Sequence, residues 1–252
     1  MLIGGRAHTL AEAEFIARAG FPFIEISIRS PEEFKQDAAS LRRLQDQFGI
    51  FYVAHGPEEV NPWEPEKLRA DFLPLIRQLL DCAAELSIAV FTQHFWIDRR
   101  FVANDIAAEK LEILKAMAAY AEERGTQICL ENLSEQVSDF SPAFAAIDGL
   151  KMTLDVGHGE LLTARNTAYD FAAGWPQRIY HVHLHDNRGG DTVEDDLHLP
   201  LGAGVVDFAA ILGCLRASGY DRTMTMEVAP EFLQGGKKMI EQIWQKESPA
   251  GK

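Results

Sequence analysis

With 252 residues and 47% hydrophobic content, the chain can bury a large core, and its length suits one (β/α) barrel domain. A net charge of −14 repels nucleic acid and acidic membrane surfaces at long range unless a basic patch or bound metal reverses the field locally. No apolar run approaches the roughly 20 residues of a membrane helix and no basic-then-apolar leader follows Met1. Cys82, Cys129 and Cys214 lie far apart without a Cys-x-x-Cys, so reduced thiols in a soluble, cytoplasmic protein are expected.

Short apolar runs alternate with amphipathic stretches from end to end. Strands are predicted at Leu2–Gly4, Phe23–Ser27, Ile50–Ala54, Val90–Gln93, Gln127–Leu130, Met152–Leu154, Ile179–Leu184 and Thr223–Met226. Between them Phe34, Ala38, Leu41, Leu44 and Phe48 recur at helical spacing, as do Leu68, Phe72, Leu75, Leu79 and Ala83. Ile106, Lys110, Leu114, Met117 and Ala121 form a third stripe, with the Lys110 stem expected along its edge. Thr9-x-x-Glu12 and Ser30-Pro31-Glu32-Glu33 read as capping boxes, and Gly20, Gly49, Gly125 and Gly219 stand where helices need left-handed caps. Eight strands alternating with helices, without a linker, predict an α/β fold, a single (β/α)8 TIM-barrel domain over residues 1–252 with a frayed tail at 246–252. An open doubly wound sheet is the alternative, but no Gly-x-Gly-x-x-Gly follows the first strand.

The chemistry concentrates between Ile179 and Asp207. His181, His183 and His185 alternate, so a strand carries them on one face, and Asp196, His198, Gly202 and Gly204 follow on a loop. His55, His94, Glu131, Asp155, His183 and Glu227 each fall at a strand end, and in a (β/α) barrel those ends converge on one mouth. His158 can reach back from the turn after Asp155. Singly, such residues are as often structural: a capped histidine, a helix N-cap aspartate, a glutamate paired with a base. Together in a low-dielectric mouth their charges repel, and a divalent cation is the economical way to hold them. His181 is expected to be a hydrogen-bonded core residue, His185 to meet substrate or solvent, and His8 to line the pocket or a surface loop. Glu25 shares the parity of Phe23 and Ser27 and fits either a substrate contact or a barrel salt bridge.

With those residues in place the chain resembles the sugar isomerase/epimerase and endonuclease IV superfamily of xylose isomerase-like barrels, over nearly all of Phe23 to Glu227. The most specific segments are Leu154-Asp155-Val156-Gly157-His158, the run His181–Asn187, and His198-Leu199-Pro200-Leu201-Gly202-Ala203-Gly204. The resemblance to the ketose epimerase branch implies one divalent metal (Mn, Mg, Co or Zn) on Glu131, Asp155, His183 and Glu227, with His158 and Arg188 on substrate oxygens. The endonuclease IV branch implies up to three zinc ions on His55, His94, Glu131, Asp155, His158, His183, Asp196, His198 and Glu227. That branch tends to read Asp-Arg-His-His where this chain reads Asp196-Leu197-His198-Leu199, and the loop after His55 lacks the arginine and aromatic wedge of a protein that kinks DNA.

The expected function is therefore a metal-dependent sugar or sugar-phosphate isomerase or epimerase. It would act on a small polyhydroxylated carbonyl compound through an enediolate, with Glu131 and Glu227 as acid and base. No nucleic-acid or membrane partner is expected. The alternative is a trinuclear zinc phosphodiesterase of the AP endonuclease kind, favoured by the surplus of histidines. A barrel that binds metal or ligand without turnover is the third reading.

Overall fold

Four helix-to-strand connections turn on glycines with positive φ, Gly20, Gly49, Gly125 and Gly219, as their positions predict. In a computed structural model, which describes residues 1–245, these turns deliver the strands β1 (Leu2–Ala7), β2 (Phe23–Ser27), β3 (Phe51–His55) and β4 (Val90–His94), then β5 (Gln127–Glu131), β6 (Lys151–Asp155), β7 (Ile179–Leu184) and β8 (Thr223–Met226). Each pairs in parallel with its neighbour in the chain and β8 returns to β1, closing an eight-stranded barrel. The intervening helices are α1 (Leu10–Arg18), α2 (Pro31–Phe48), α3 (Leu73–Glu85), α4 (Asn104–Glu123), α5 (Val137–Ala146), α6 (Ala168–Gly174), α7 (Phe208–Ala217) and α8 (Leu233–Gln245). The chain is a TIM barrel, and no helix among the described residues is long and apolar enough to cross a membrane. The tail expected at 246–252 lies outside the described residues.

Four local expectations need correction. The first strand runs on to Ala7 instead of stopping at Gly4. Gly4 and Gly5 look like strand breakers, but they are sites of close approach: an added Cβ would stand 2.6 Å from the Phe23 ring and 2.8 Å from Leu233. The helix predicted from Leu68 begins as a π turn at Leu68–Phe72 and becomes regular only at Leu73. Pro74, which has no N–H to donate, sits at that junction. Lys110 does not lie along the edge of its helix. It is fully buried, with Nζ 2.7 and 2.8 Å from the two carboxylate oxygens of Glu59. Of the two capping boxes, Thr9 and Glu12 close theirs reciprocally, whereas Ser30 accepts from the Glu33 amide and Glu33 returns nothing.

The barrel interior is layered. Phe23, Val53, Val90 and Cys129 form an apolar floor distinct from the main core between barrel and helices. Polar groups lie above it: the hydroxyls of Thr92 and Thr153 meet at 2.7 Å, and His181 contacts Thr223 (2.7 Å), Thr225 (2.9 Å) and Glu25 (2.9 Å). His181 is thus the hydrogen-bonded core residue expected of it. The next residues along these strands reach the C-terminal mouth.

Candidate metal centre

Strand parity carries His55, His94, Glu131, Asp155 and His183 to one end of the barrel, and Glu227 follows immediately after β8, its amide bonded to the Leu184 carbonyl. Donor atoms of Glu131, Asp155, His183 and Glu227 all lie within 4.8 Å of one another, as do those of His55, His94 and Glu131. A third group of the same tightness comprises His158, His185, Asp196 and His198, and a fourth overlaps the first through Glu25, His55, His183 and Glu227. Every donor expected from the sequence therefore falls into a group, and two unassigned residues, Glu25 and His185, join them.

The ring orientations suit metal binding. His55 directs Nδ1 at the Gly56 carbonyl (2.8 Å), His158 at that of Asn132 (3.0 Å) and His198 at that of Glu227 (3.2 Å). Because a carbonyl only accepts, each Nδ1 carries the proton and each Nε2 faces the donor groups. Asn132 clamps the neighbouring strand ends, donating to the Asp155 carbonyl and accepting from the Asp155 amide, both at 2.9 Å. Gly157 leaves room for the His185 ring: a Cβ there would stand 2.2 Å from it. Asp186 fastens the loop after β7, accepting from the amides of Asn187 (2.9 Å), Gly202 (2.8 Å) and Val206 (3.1 Å).

Charge is balanced tightly here. Burial pushes Glu131 upward, but His183 and His94 outweigh it and hold its carboxyl well below the usual range. Asp155 is likewise raised by burial and lowered well below its ordinary value by His158 and His185. Burial disfavours a charged His183, yet Glu227, Glu25 and Glu131 carry its pKa well above the ordinary value. His158 is raised in the same way by Asp155 and Asp196. His55 instead falls to about 4, through burial and the nearby Arg6, and is neutral at physiological pH. His198 stands at about 9, where Asp196 and Glu227 overcome its burial.

Even so, some buried donors are left over. Asp155 Oδ2 has no hydrogen-bond partner among the described residues. His94 Nε2 lies 2.8 Å from Glu131 Oε2 and His185 Nε2 lies 3.1 Å from Asp155 Oδ1, but neither contact has hydrogen-bond geometry. Unsatisfied buried polar atoms are costly, and these point into the donor groups. An all-nitrogen-and-oxygen set with such surplus atoms fits a hard or borderline divalent cation.

Above the donors opens a cavity of about 720 Å³, lined among others by Arg6, His8, Arg29, His158, His198 and Glu227. His8 thus lines the pocket, with Nδ1 3.0 Å from Ser27 Oγ. Glu227 forms part of the cavity wall, whereas Glu131 lies beneath it at 1% exposure, against His55 and His94. His185 departs from expectation: it is fully buried and stacks on His198 with ring centroids 3.9 Å apart, so it meets no solvent. The Arg188 side chain is exposed and does not line this cavity. Arg6, which sequence reasoning missed, is buried, ion-pairs with Glu227 and approaches Glu25 Oε1 at 3.5 Å. Its signal was parity, since Gly4 and Arg6 alternate along the first strand and His8 follows directly after its end at Ala7.

A closed parallel barrel with buried carboxylates and imidazoles gathered at its C-terminal mouth defines the class: a (β/α)8 barrel with a donor-rich site. Within that class the chain belongs to the xylose isomerase-like TIM barrel family, whose model matches residues 13–246. An uncharacterized protein of Methanocaldococcus jannaschii is 30% identical over 218 residues, covering 79% of this chain and 70% of that protein. A D-tagatose 3-epimerase-like protein of known structure superposes with a TM-score of 0.82 at 25% identity, over 96% of this chain and 97% of its own. D-allulose 3-epimerase from Methylomonas sp. gives 0.77 at 18% identity over 96% and 98%, and a xylose isomerase domain protein from Planctomyces limnophilus gives 0.79 at 15% over 96% and 95%.

Proposed function

We propose that this protein is a divalent-metal-dependent isomerase or epimerase of a small polyhydroxylated carbonyl compound. The observation that carries the reading is the buried group Glu131, Asp155, His183 and Glu227, whose donor atoms lie within 4.8 Å of one another beside a substrate-sized cavity. The likeness to a D-tagatose 3-epimerase-like protein and to D-allulose 3-epimerase supports a ketose as substrate. Those four side chains would hold the ion; Mn, Mg, Co and Zn all suit the donors. When bound, it supplies Lewis acidity towards a carbonyl and its neighbouring hydroxyl, easing negative charge on oxygen.

The chain's own residues supply the proton chemistry. Glu227, in the cavity wall, is placed to remove the proton next to the carbonyl, with Arg6 fixing its carboxylate. Glu131 is its partner for returning a proton. His183 Nδ1 stands between the two, 2.8 Å from Glu131 Oε1 and 3.4 Å from Glu227 Oε1. His158 faces the same cavity and is placed to donate to a substrate oxygen; the same role for Arg188 requires its exposed side chain to turn inward. The unpaired Cys82, Cys129 and Cys214 suit a reducing compartment such as the cytoplasm.

The test is solvent deuterium exchange at the carbon next to the carbonyl, across a panel of ketoses. Exchange by the wild type should fall by about a hundred- to ten-thousandfold in Glu131→Gln and Glu227→Gln. Exchange at wild-type rates in both variants would show that these carboxylates move no proton.

A second reading draws on the other donor groups. His55–His94–Glu131 and His158–Asp196–His198 flank the first group, so three zinc ions and phosphodiester hydrolysis are also served by this geometry. The net charge of −14 opposes a nucleic-acid substrate. Three tightly held zinc ions per chain, with cleavage of DNA at an abasic site, would favour this reading over the first.

A further inference from the structure

The mouth of the barrel has a second lobe. A cavity of about 630 Å³ adjoins the first and shares with it Glu58, His94, His158 and Asp196. The donor groups thus stand between two chambers, each large enough for a ligand of its own. The first chamber carries Arg6, His8 and Arg29, whereas the second is walled by Trp63, Trp96 and Phe101.

These three rings form a shelf. Trp96 meets Trp63 edge-on, with centroids 5.6 Å apart at 82°, and stacks on Phe101 at 5.4 Å and 23°. Trp63 is 54% exposed and Phe101 46%, an unusual amount of aromatic surface to leave in water beside a site. The shelf is braced from behind. Trp96 donates its indole N–H to Ser134 Oγ (3.0 Å) and its amide to Glu59 Oε1 (2.6 Å), and Glu59 is the carboxylate clamped by buried Lys110. Such bracing fixes the rings for a ligand instead of letting them collapse into the core.

We infer that this lobe is a second-ring subsite. It takes a neutral, hydroxyl-rich ring joined to the reacting carbonyl compound, so that the preferred substrate is a two-ring keto-sugar and not a free monosaccharide. The inference rests on the isomerase reading for the identity of the reacting half. Aromatic faces carry negative charge density and accept the C–H-bearing face of a sugar ring. The rim adds Glu58, Asp191, Asp196 and the Thr192 hydroxyl, acceptors suited to sugar hydroxyls and repulsive to a phosphate. Continuity through His94, His158 and Asp196 lets one molecule occupy both chambers.

The experiment is calorimetric titration of the Mn²⁺-loaded protein with D-fructose, with lactulose (a galactosyl ring on a fructose) and with adenosine. Lactulose should bind about tenfold more tightly than D-fructose, and the Trp63→Ala/Phe101→Ala double variant should lose that preference while binding D-fructose as the wild type does. Both rings are half exposed, so the fold is retained, and an unchanged melting temperature verifies it. Equal affinities, no measurable binding of either sugar, or a preference that survives in the double variant would overturn the subsite. So would adenosine binding more tightly than lactulose, which would assign the shelf to a planar base. Deuterium exchange on the same samples separates the two levels. A lactulose preference without exchange overturns the isomerase reading and leaves the subsite standing, whereas exchange on D-fructose without a preference does the reverse.

Discussion

His198 holds a left-handed backbone at φ 44°, a region that costs a non-glycine residue on the order of 1 kcal/mol or more. The strain is retained by the Glu227 carbonyl, Asp196 and the stacked His185 ring. Asparagine tolerates this backbone, so His198→Asn should leave the metal-free melting temperature within about 3 °C of wild type, an allowance near 1 kcal/mol. It should also remove one ion from a zinc titration that fills the third donor group. Unchanged stoichiometry would show that His198 is not a ligand. A second residue links stability to pH. Burial raises Glu135 to about 7, and its carboxyl accepts from the amides of Ile97 (2.9 Å) and Leu133 (2.8 Å). Its folded pKa exceeds the unfolded value, so the native state keeps the proton longer. The contribution is full below about pH 4.5 and is lost as pH rises through 7, by at most roughly 3 kcal/mol. Urea unfolding at pH 5 and pH 8 should show the difference between wild type and Glu135→Gln changing in that direction; a constant difference would contradict it.

The loop between β7 and α7 depends on one carboxylate at its base. Asp186 accepts three backbone amides, and the Asp186–Leu199 bridge pins the segment that carries Asp196 and His198. Charge-assisted bonds of this kind are worth about 1.5–3 kcal/mol, and three orphaned amides add to the loss. Asp186→Ala should destabilise the protein by about 3 kcal/mol or more and abolish binding at the third donor group, while binding at Asp155 and His183 persists. Chemical denaturation together with metal stoichiometry checks both parts; an effect under about 1 kcal/mol would mean the loop is held elsewhere. At this scale the sequence was informative where pattern is local. Strands β2, β7 and β8 stand where alternation and apolar runs place them, and the histidines and carboxylates at strand ends reach one mouth because parallel strands share a direction. It was silent where contact depends on closure. Glu25 meets His181 and His183 only because the barrel brings β2 opposite β7, across 156 and 158 positions of chain. Arg6 was hidden behind two glycines whose reason, the ring of Phe23 and the side chain of Leu233, lies elsewhere in the fold. Lys110 resembled a helix-edge lysine because its partner, Glu59, stands 51 positions away.

For the whole molecule, the central claim is that the barrel mouth is completed by a divalent cation. Glu25, Glu131 and Asp155 are all but sealed from water, and His94 Nε2, Asp155 Oδ2 and His185 Nε2 have no hydrogen-bond partner among the described residues. A cation that binds only the folded chain stabilises it by mass action, by about 2.7 kcal/mol at a hundredfold excess over its Kd. For a barrel of this size that corresponds to roughly 5–10 °C in Tm. The most direct measurement is thermal unfolding of chelator-stripped protein before and after addition of Mn²⁺ or Zn²⁺, with Asp155→Asn alongside. A rise of several degrees in the wild type, reversed by chelator and largely lost in Asp155→Asn, is the expected result. A melting temperature indifferent to both ions and to chelator, in protein that carries no metal by elemental analysis, would contradict the account.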